Sequence, residues 1–263
     1  MKWLRFCIIA ALILLAAQCM AVNAVPDLVK YSQLPNHNWS YDLSSEIKPV
    51  TGASPLWETV MADDWKCNAT GTVCDIHWWG SYWTPPPHYT EYSDALPNAV
   101  SGGIQGFNIT IWDDVPASPN NPYSHPGTTK IKEIPITGNA NEQWAFDVPD
   151  PPDPNYQPHS VYKYDVNLSP NEQFPQTAGT TYWLSIQAIL PDASRQWGWH
   201  ETTGIQPGTD TAVIQKSHDE YWYIPCGGHD MAFELTTVPE PSGILALITG
   251  LSGVIAIGLK RRR

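Results

Sequence analysis

The sequence predicts an all-β domain, a sandwich or jelly roll of two antiparallel sheets, flanked by an N-terminal signal helix and a C-terminal transmembrane helix. Three observations predict it. Helical periodicity is almost absent between Val25 and Val238, short runs of alternating apolar and polar residues recur there, and clusters of Pro, Gly, Asn and Asp separate those runs. Eight or more such strands in one domain call for two packed sheets.

The first element, residues 1–24, has the three-part layout of a secretory signal. Lys2 and Arg5 precede an apolar stretch from Ile8 to Ala17, and Val22-Asn23-Ala24 places small residues where a signal peptidase cuts, after Ala24. Cys19 raises the option of an acylated lipoprotein, but Gln18 stands where a small residue is required.

The β domain, 25–237, follows. Trp57 to Asp63 and Asp75 to Trp83 are its first strand candidates. In the run Phe107 to Trp112, the residues Phe107, Ile109 and Ile111 face the core while Asn108 and Thr110 face outward. Tyr162, Tyr164, Val166 and Leu168 make a second stripe, and Tyr182, Leu184, Ile186 and Ala188 a third. Ala212 to Gln215 and Tyr221 to Ile224 are shorter candidates, and Met231, Phe233 and Leu235 close the domain. Proline-rich stretches at Thr84 to His88, Pro116 to Pro126 and Val148 to Pro158 cannot run inside central strands and read as long surface loops.

The last element, 238–263, joins Pro239-Glu240-Pro241 to an apolar helix over 243–259 and the cluster Lys260, Arg261, Arg262, Arg263. About 17 residues at 1.5 Å each give roughly 26 Å, the short end of a bilayer span. Terminal cations stay cytoplasmic, so the domain lies on the opposite side. This tail resembles the PEP-CTERM sorting signal that exosortase recognises in Gram-negative bacteria that make exopolysaccharide. The resemblance implies a sorting motif of Pro239, Glu240, Pro241, Arg261, Arg262 and Arg263. It also implies cleavage near the prolines, then release or transfer to the envelope or extracellular matrix. Exosortase and signal peptidase are then its processing enzymes. An ordinary membrane anchor is the alternative. Ala62 to Trp65, Asp75 to Ser81, Tyr182 to Leu184, Gly198-Trp199, Asp210 to Val213 and Met231 to Phe233 together look like an uncharacterised domain family of exported bacterial proteins, which implies a β-sandwich and assigns it no particular activity.

Charge narrows the partners. Between Val25 and Val238 stand 8 basic and 25 acidic residues, a net charge of about −17. Such a surface repels nucleic acid and anionic lipid.

Candidate chemistry is sparse. Cys67 and Cys74 flank a turn-like stretch, and a cross-strand disulfide closing that hairpin is the first expectation; pairing of either with Cys226, or three free thiols, stay open. Trp78, Trp79 and Trp83 lie on one strand, with Trp79 and Trp83 pointing away from Trp78, so one set is core and the other exposed. Exposed indoles stack on sugar rings, which makes Trp79 and Trp83 candidate glycan contacts. Asp63, Asp64 and Asp75 lie on either side of the same hairpin and offer the hard oxygen donors that calcium needs. No other cofactor is expected. His77, His88, His200, His218 and His229 are scattered, without a nucleophile elbow or a His-Glu-x-x-His run. The sequence therefore points to an exported, non-catalytic protein of the envelope or matrix, structural or adhesive, with a polysaccharide as its candidate ligand. A secreted carbohydrate-active hydrolase is the rival.

Overall fold

Alternation sets the architecture of the computed structural model, which describes residues 28–38, 40–48, 57–83, 103–119, 121–148, 159–191, 196–206, 209–216, 219, 221–225 and 227–237. Fifteen strands and no helix occur among them. In chain order they are β1 (Leu28–Gln33), β2 (Asp42–Ser44), β3 (Glu46–Lys48), β4 (Trp57–Lys66), β5 (Gly71–Val73), β6 (Asp75–Trp83), β7 (Gly106–Val115) and β8 (His125–Thr137). There follow β9 (Gln143–Val148), β10 (His159–Asn167), β11 (Phe174–Gln176), β12 (Thr181–Ile189), β13 (Gln196–His200), β14 (Val213–Lys216) and β15 (Phe233–Thr237). Ala24, the helix 243–259, the six sorting residues and Cys226 lie outside the described residues.

A seven-stranded sheet runs β1-β15-β6-β10-β9, with β13 pairing both β2 and β6. A six-stranded sheet runs β14-β4-β3-β12-β7-β8 and is mixed, because β3 lies parallel to β12. A third, two-stranded piece joins β5 to β11.

One core cluster draws on both larger sheets. The six-stranded sheet contributes Met61, Trp65, Phe107, Ile109, Ile111, Leu184 and Ile186, and the seven-stranded sheet contributes Ile76, Trp78, Tyr164, Trp197, Trp199 and Phe233. Phe107 ties the two together: its ring lies 4.9 Å from Trp78, 5.1 Å from Tyr164 and 5.4 Å from Trp197, each edge to face, the arrangement that ring quadrupoles favour. Three indole N–H groups in this core find partners nearby, whereas that of Trp78 is buried without one. Trp197 Nε1 donates to Tyr164 Oη at 3.1 Å, Trp199 Nε1 to the Ala232 carbonyl at 2.8 Å and Trp65 Nε1 to Gln176 Oε1 at 2.9 Å.

The stripes read from the sequence on β7, β10, β12 and β15 face this core. The segment Tyr221 to Ile224, expected as a strand, contributes a single bridge, Ile214 with Tyr223. The longest strand not anticipated, β8, carries Pro126 and Pro135 inside it. It is an edge strand, where a missing N–H costs no ladder bond.

The expected hairpin between Cys67 and Cys74 is corrected. β4 belongs to the six-stranded sheet and β6 to the seven-stranded one, so the chain between them crosses from sheet to sheet, and β5 pairs with β11 instead. Both thiols are free. Cys67 Sγ bonds the Ala69 carbonyl at 3.2 Å and Cys74 Sγ lies 3.9 Å from Thr237 Oγ1.

Candidate functional site

The residues of β7 and β12 that point away from the main core form the outer face of the six-stranded sheet, where Asn108 and Trp112 are half-buried and the others buried. On β7 these are Asn108, Thr110 and Trp112; on β12 they are Trp183, Ser185 and Gln187. Cross-strand register sets them side by side, because directly opposed residues share a face. Gln187 opposes Asn108, Ser185 opposes Thr110 and Trp183 opposes Trp112. On the far side of β7, Glu133 opposes Thr110 and Lys130 opposes Trp112. Gln215 of β14 opposes Val60 of β4.

This face holds a groove of about 640 Å³ lined by Glu58, Asn108, Thr110, Trp112, Lys130, Glu133, Ser185, Gln187, Gln215 and Trp222 among others. A second hollow of about 440 Å³ shares Trp112, Gln215 and Trp222 and adds Tyr123, His125 and Tyr221. Its polar groups are linked. Asn108 Nδ2 donates to Gln187 Oε1 at 3.3 Å, and Gln187 Nε2 donates to Glu58 Oε1 at 3.2 Å and to the Thr59 carbonyl at 3.1 Å. Trp112 Nε1 donates to Ser185 Oγ at 2.9 Å, and Trp183 Nε1 to Asp114 Oδ1 at 2.9 Å. These bonds hold the indoles in place. Trp112 meets Trp222 edge-on at 6.2 Å, and Lys130 lies 5.4 Å over the Trp112 ring while pairing with Glu133 at 2.6 Å. Tyr221 is 65% exposed at the rim. Fixed amides, hydroxyls and carboxylates beside ring faces are the groups that bind a polyhydroxylated chain: hydrogen bonds for hydroxyls, ring faces for C–H surfaces.

The two indoles expected as glycan contacts, Trp79 and Trp83, are on β6, away from this face. Trp79 is only 7% exposed, so it cannot present a stacking face. Alternation did send it away from the core, but a second cluster of Val148, Val161, Ala232, Ala145 and Phe146 covers it there. Trp83 ends β6, and its side chain lies outside the described residues. Trp112 is half-buried and lines the groove, whereas Trp222, 8% exposed, is covered as Trp79 is. The outward phase of Asn108 and Thr110 already carried the signal for Trp112.

The expected calcium ligands are not gathered. Asp63 and Asp64 are on β4, whereas Asp75 is on β6, where its Oδ2 meets His77 Nε2 at 2.9 Å. Asp63 is spent on protein donors: Gln33 Nε2 at 2.5 Å, Met231 N at 2.6 Å and Asp64 N at 2.9 Å. Burial, then Asp230 and Asp64, hold the Asp63 carboxyl well above the usual range. Burial, with Asp210, Asp230 and Asp114 nearby, raises Asp64 to about 8. Burial and Asp210 raise Asp230 to about 6. Asp63, Asp64 and Asp230 thus lie close together, each with its carboxyl raised by burial and by neighbouring carboxylates.

One group of three His, Cys, Asp or Glu side chains does converge among the described residues: Asp42, His159 and His200, with ligand atoms within 4.8 Å of one another. Asp42 Oδ2 lies 2.7 Å from His159 Nε2 and Asp42 Oδ1 lies 2.8 Å from His200 Nδ1. The two histidines outweigh burial and hold the Asp42 carboxyl below the usual range. Asp42, foremost, raises His200 against the effect of burial.

No curated protein and no solved structure matches the chain. A family pattern does match, over residues 29–236. The chain belongs to that family, which is described as Domain of unknown function (DUF7901).

Proposed function

We propose that this is an exported, non-catalytic protein of the cell envelope or extracellular matrix that binds polysaccharide along the outer face of its six-stranded sheet. The groove carries the reading: Trp112 and the exposed Tyr221 stand beside Asn108, Gln187, Gln215 and Glu133 in the two adjoining hollows of this face. The two sheets pack as a sandwich, and such a rigid pair is a suitable support for an extended ligand. The signal at 1–24 and the tail at 238–263 take it out of the cytoplasm, where the exosortase-type tail is cut near Pro239 to Pro241. Mass spectrometry of the extracellular fraction should find mature ends near Val25 and near these prolines; an intact chain in the cytosol would end the export reading.

Binding is tested with the purified chain on an array of extracellular polysaccharides. Trp112→Ala should weaken binding tenfold or more, about 1.4 kcal/mol, whereas Trp144→Ala, at an exposed position on β9, should leave it unchanged. Equal binding by both variants would remove the groove from the function. Glu58 and Glu133 both line the trough, which keeps the hydrolase reading alive. New reducing ends lost in Glu133→Gln would favour it; intact polysaccharide after prolonged incubation would favour binding.

A further inference from the structure

The Asp42, His159 and His200 side chains are buried to 4%, 3% and 0% exposure. They arrive from three strands. Asp42 on β2 and His200 on β13 are register partners, and His159 opens β10. Hydrogen bonding at His200 places its protons. The Asn36 carbonyl can only accept, so the ring nitrogen facing it at 2.9 Å, Nε2, is the donor. Ser40 Oγ lies 3.1 Å from the same nitrogen. In a neutral imidazole Nδ1 then carries a lone pair, which points at Asp42 Oδ1 only 2.8 Å away. Two lone pairs at that distance repel. A proton on one of the two atoms, or a metal ion held by both, removes that repulsion.

The surroundings have the form of a metal site. A ligating histidine characteristically donates its other N–H to a backbone carbonyl, which fixes ring and tautomer, and His200 does so with Asn36. Two imidazoles and one carboxylate are a donor set for zinc and neighbouring divalent transition metals, with the fourth tetrahedral position left to water, and a poor one for calcium or magnesium. Phe146 lies edge-on to His200 at 5.8 Å and His37 stacks on Phe146 at 4.0 Å, an aromatic cover that keeps bulk water off. Loss of that water strengthens a charge interaction.

We propose that Asp42, His159 and His200 bind one divalent transition-metal ion of the zinc class, which fastens β2, β10 and β13 together. The ion is structural, because its ligands are closed to solvent. Formation of the site displaces the imidazole protons that otherwise face the carboxylate.

Untagged full-length chain, stripped with chelator and dialysed, should take up one zinc or cobalt ion. Its melting temperature should then rise by roughly 5 °C or more at saturating zinc, with no rise for magnesium or calcium. Cobalt should give visible ligand-field bands without the near-ultraviolet thiolate band that Cys67 or Cys74 would produce. His159→Gln should abolish the bands and the zinc-dependent rise, and Cys67→Ser with Cys74→Ser should leave both. If His159→Gln does not fold, the thiolate-free cobalt spectrum of the unsubstituted chain still decides. A folded chain that binds neither ion, or one whose metal leaves with the cysteines, overturns the proposal and leaves the cluster a buried ion-paired triad.

Discussion

At the scale of single residues, side chains of the same type have unlike roles. Trp78 and Trp79 are neighbours in sequence, yet one packs on Phe107 between the sheets and the other sits in the Val148 and Val161 cluster. Phe107 meets three rings of the facing sheet, those of Trp78, Tyr164 and Trp197. Phe107→Ala should cost about 3–5 kcal/mol, from lost transfer energy and the cavity left among rings that cannot collapse, read as a lowered urea midpoint at unchanged slope. Gly80 makes a different demand. A Cβ there would lie 2.4 Å from Trp197 Cζ2 and 2.5 Å from the Gly198 carbonyl oxygen, and neither a packed indole nor backbone can give way. Gly80→Ala should therefore destabilise by about 3 kcal/mol, visible in the same denaturation experiment.

At the scale of elements, β6 and β12 organise the two large sheets. β6 pairs with β10 along one edge, and with β15 and then β13 along the other. β12 is buried along nearly its whole length because Trp183, Ser185 and Gln187 lie under the outer-face network. The alternation that marked Tyr182 to Ala188 as inward was legible in the sequence. The burial of its other face was not, since it depends on β14 pairing beside β4 and on Trp222 packing against Ala62, Trp183 and Val213. Strand β8 escaped for a related reason: its exposed polar positions and two prolines resemble a loop, and only its edge location makes them compatible with pairing.

At the scale of the molecule, an acidic chain has buried part of its acid. Asp63, Asp64 and Asp230 pack together near Asp210, Asp114 and Tyr31, and no lysine or arginine pairs with them among the described residues. Unfolded aspartates lose their proton near pH 4, whereas Asp64 keeps it to about 8 and Asp230 to about 6. Between those limits the native state binds protons that the unfolded chain has released. The stability that Asp64 and Asp230 contribute is thus fully present below about pH 4 and declines as pH rises through about 6 and then about 8. The slope is up to about 1.4 kcal/mol per pH unit for each group still protonated. Urea midpoints taken from pH 5 to pH 8 should fall. Asp64→Asn keeps the oxygen that accepts from Asp210 N at 2.8 Å and stays neutral, so it should flatten the decline and exceed the unsubstituted chain at pH 8. A midpoint that rises with pH would contradict the shared protonation of these acids.

By itself the sequence determined the all-β class, the inward stripes of β7, β10, β12 and β15, and the acidity of the surface, because strand periodicity and charge are local properties of a chain. Tertiary structure alone decided which tryptophans are exposed, that Cys67 and Cys74 flank a crossing between sheets, and that Asp42, His159 and His200 meet. Those three are separated by 117 and 41 positions along the chain, and no local pattern links them. Their encounter follows from which strand edges pair, a choice made by burying side chains from many segments at once.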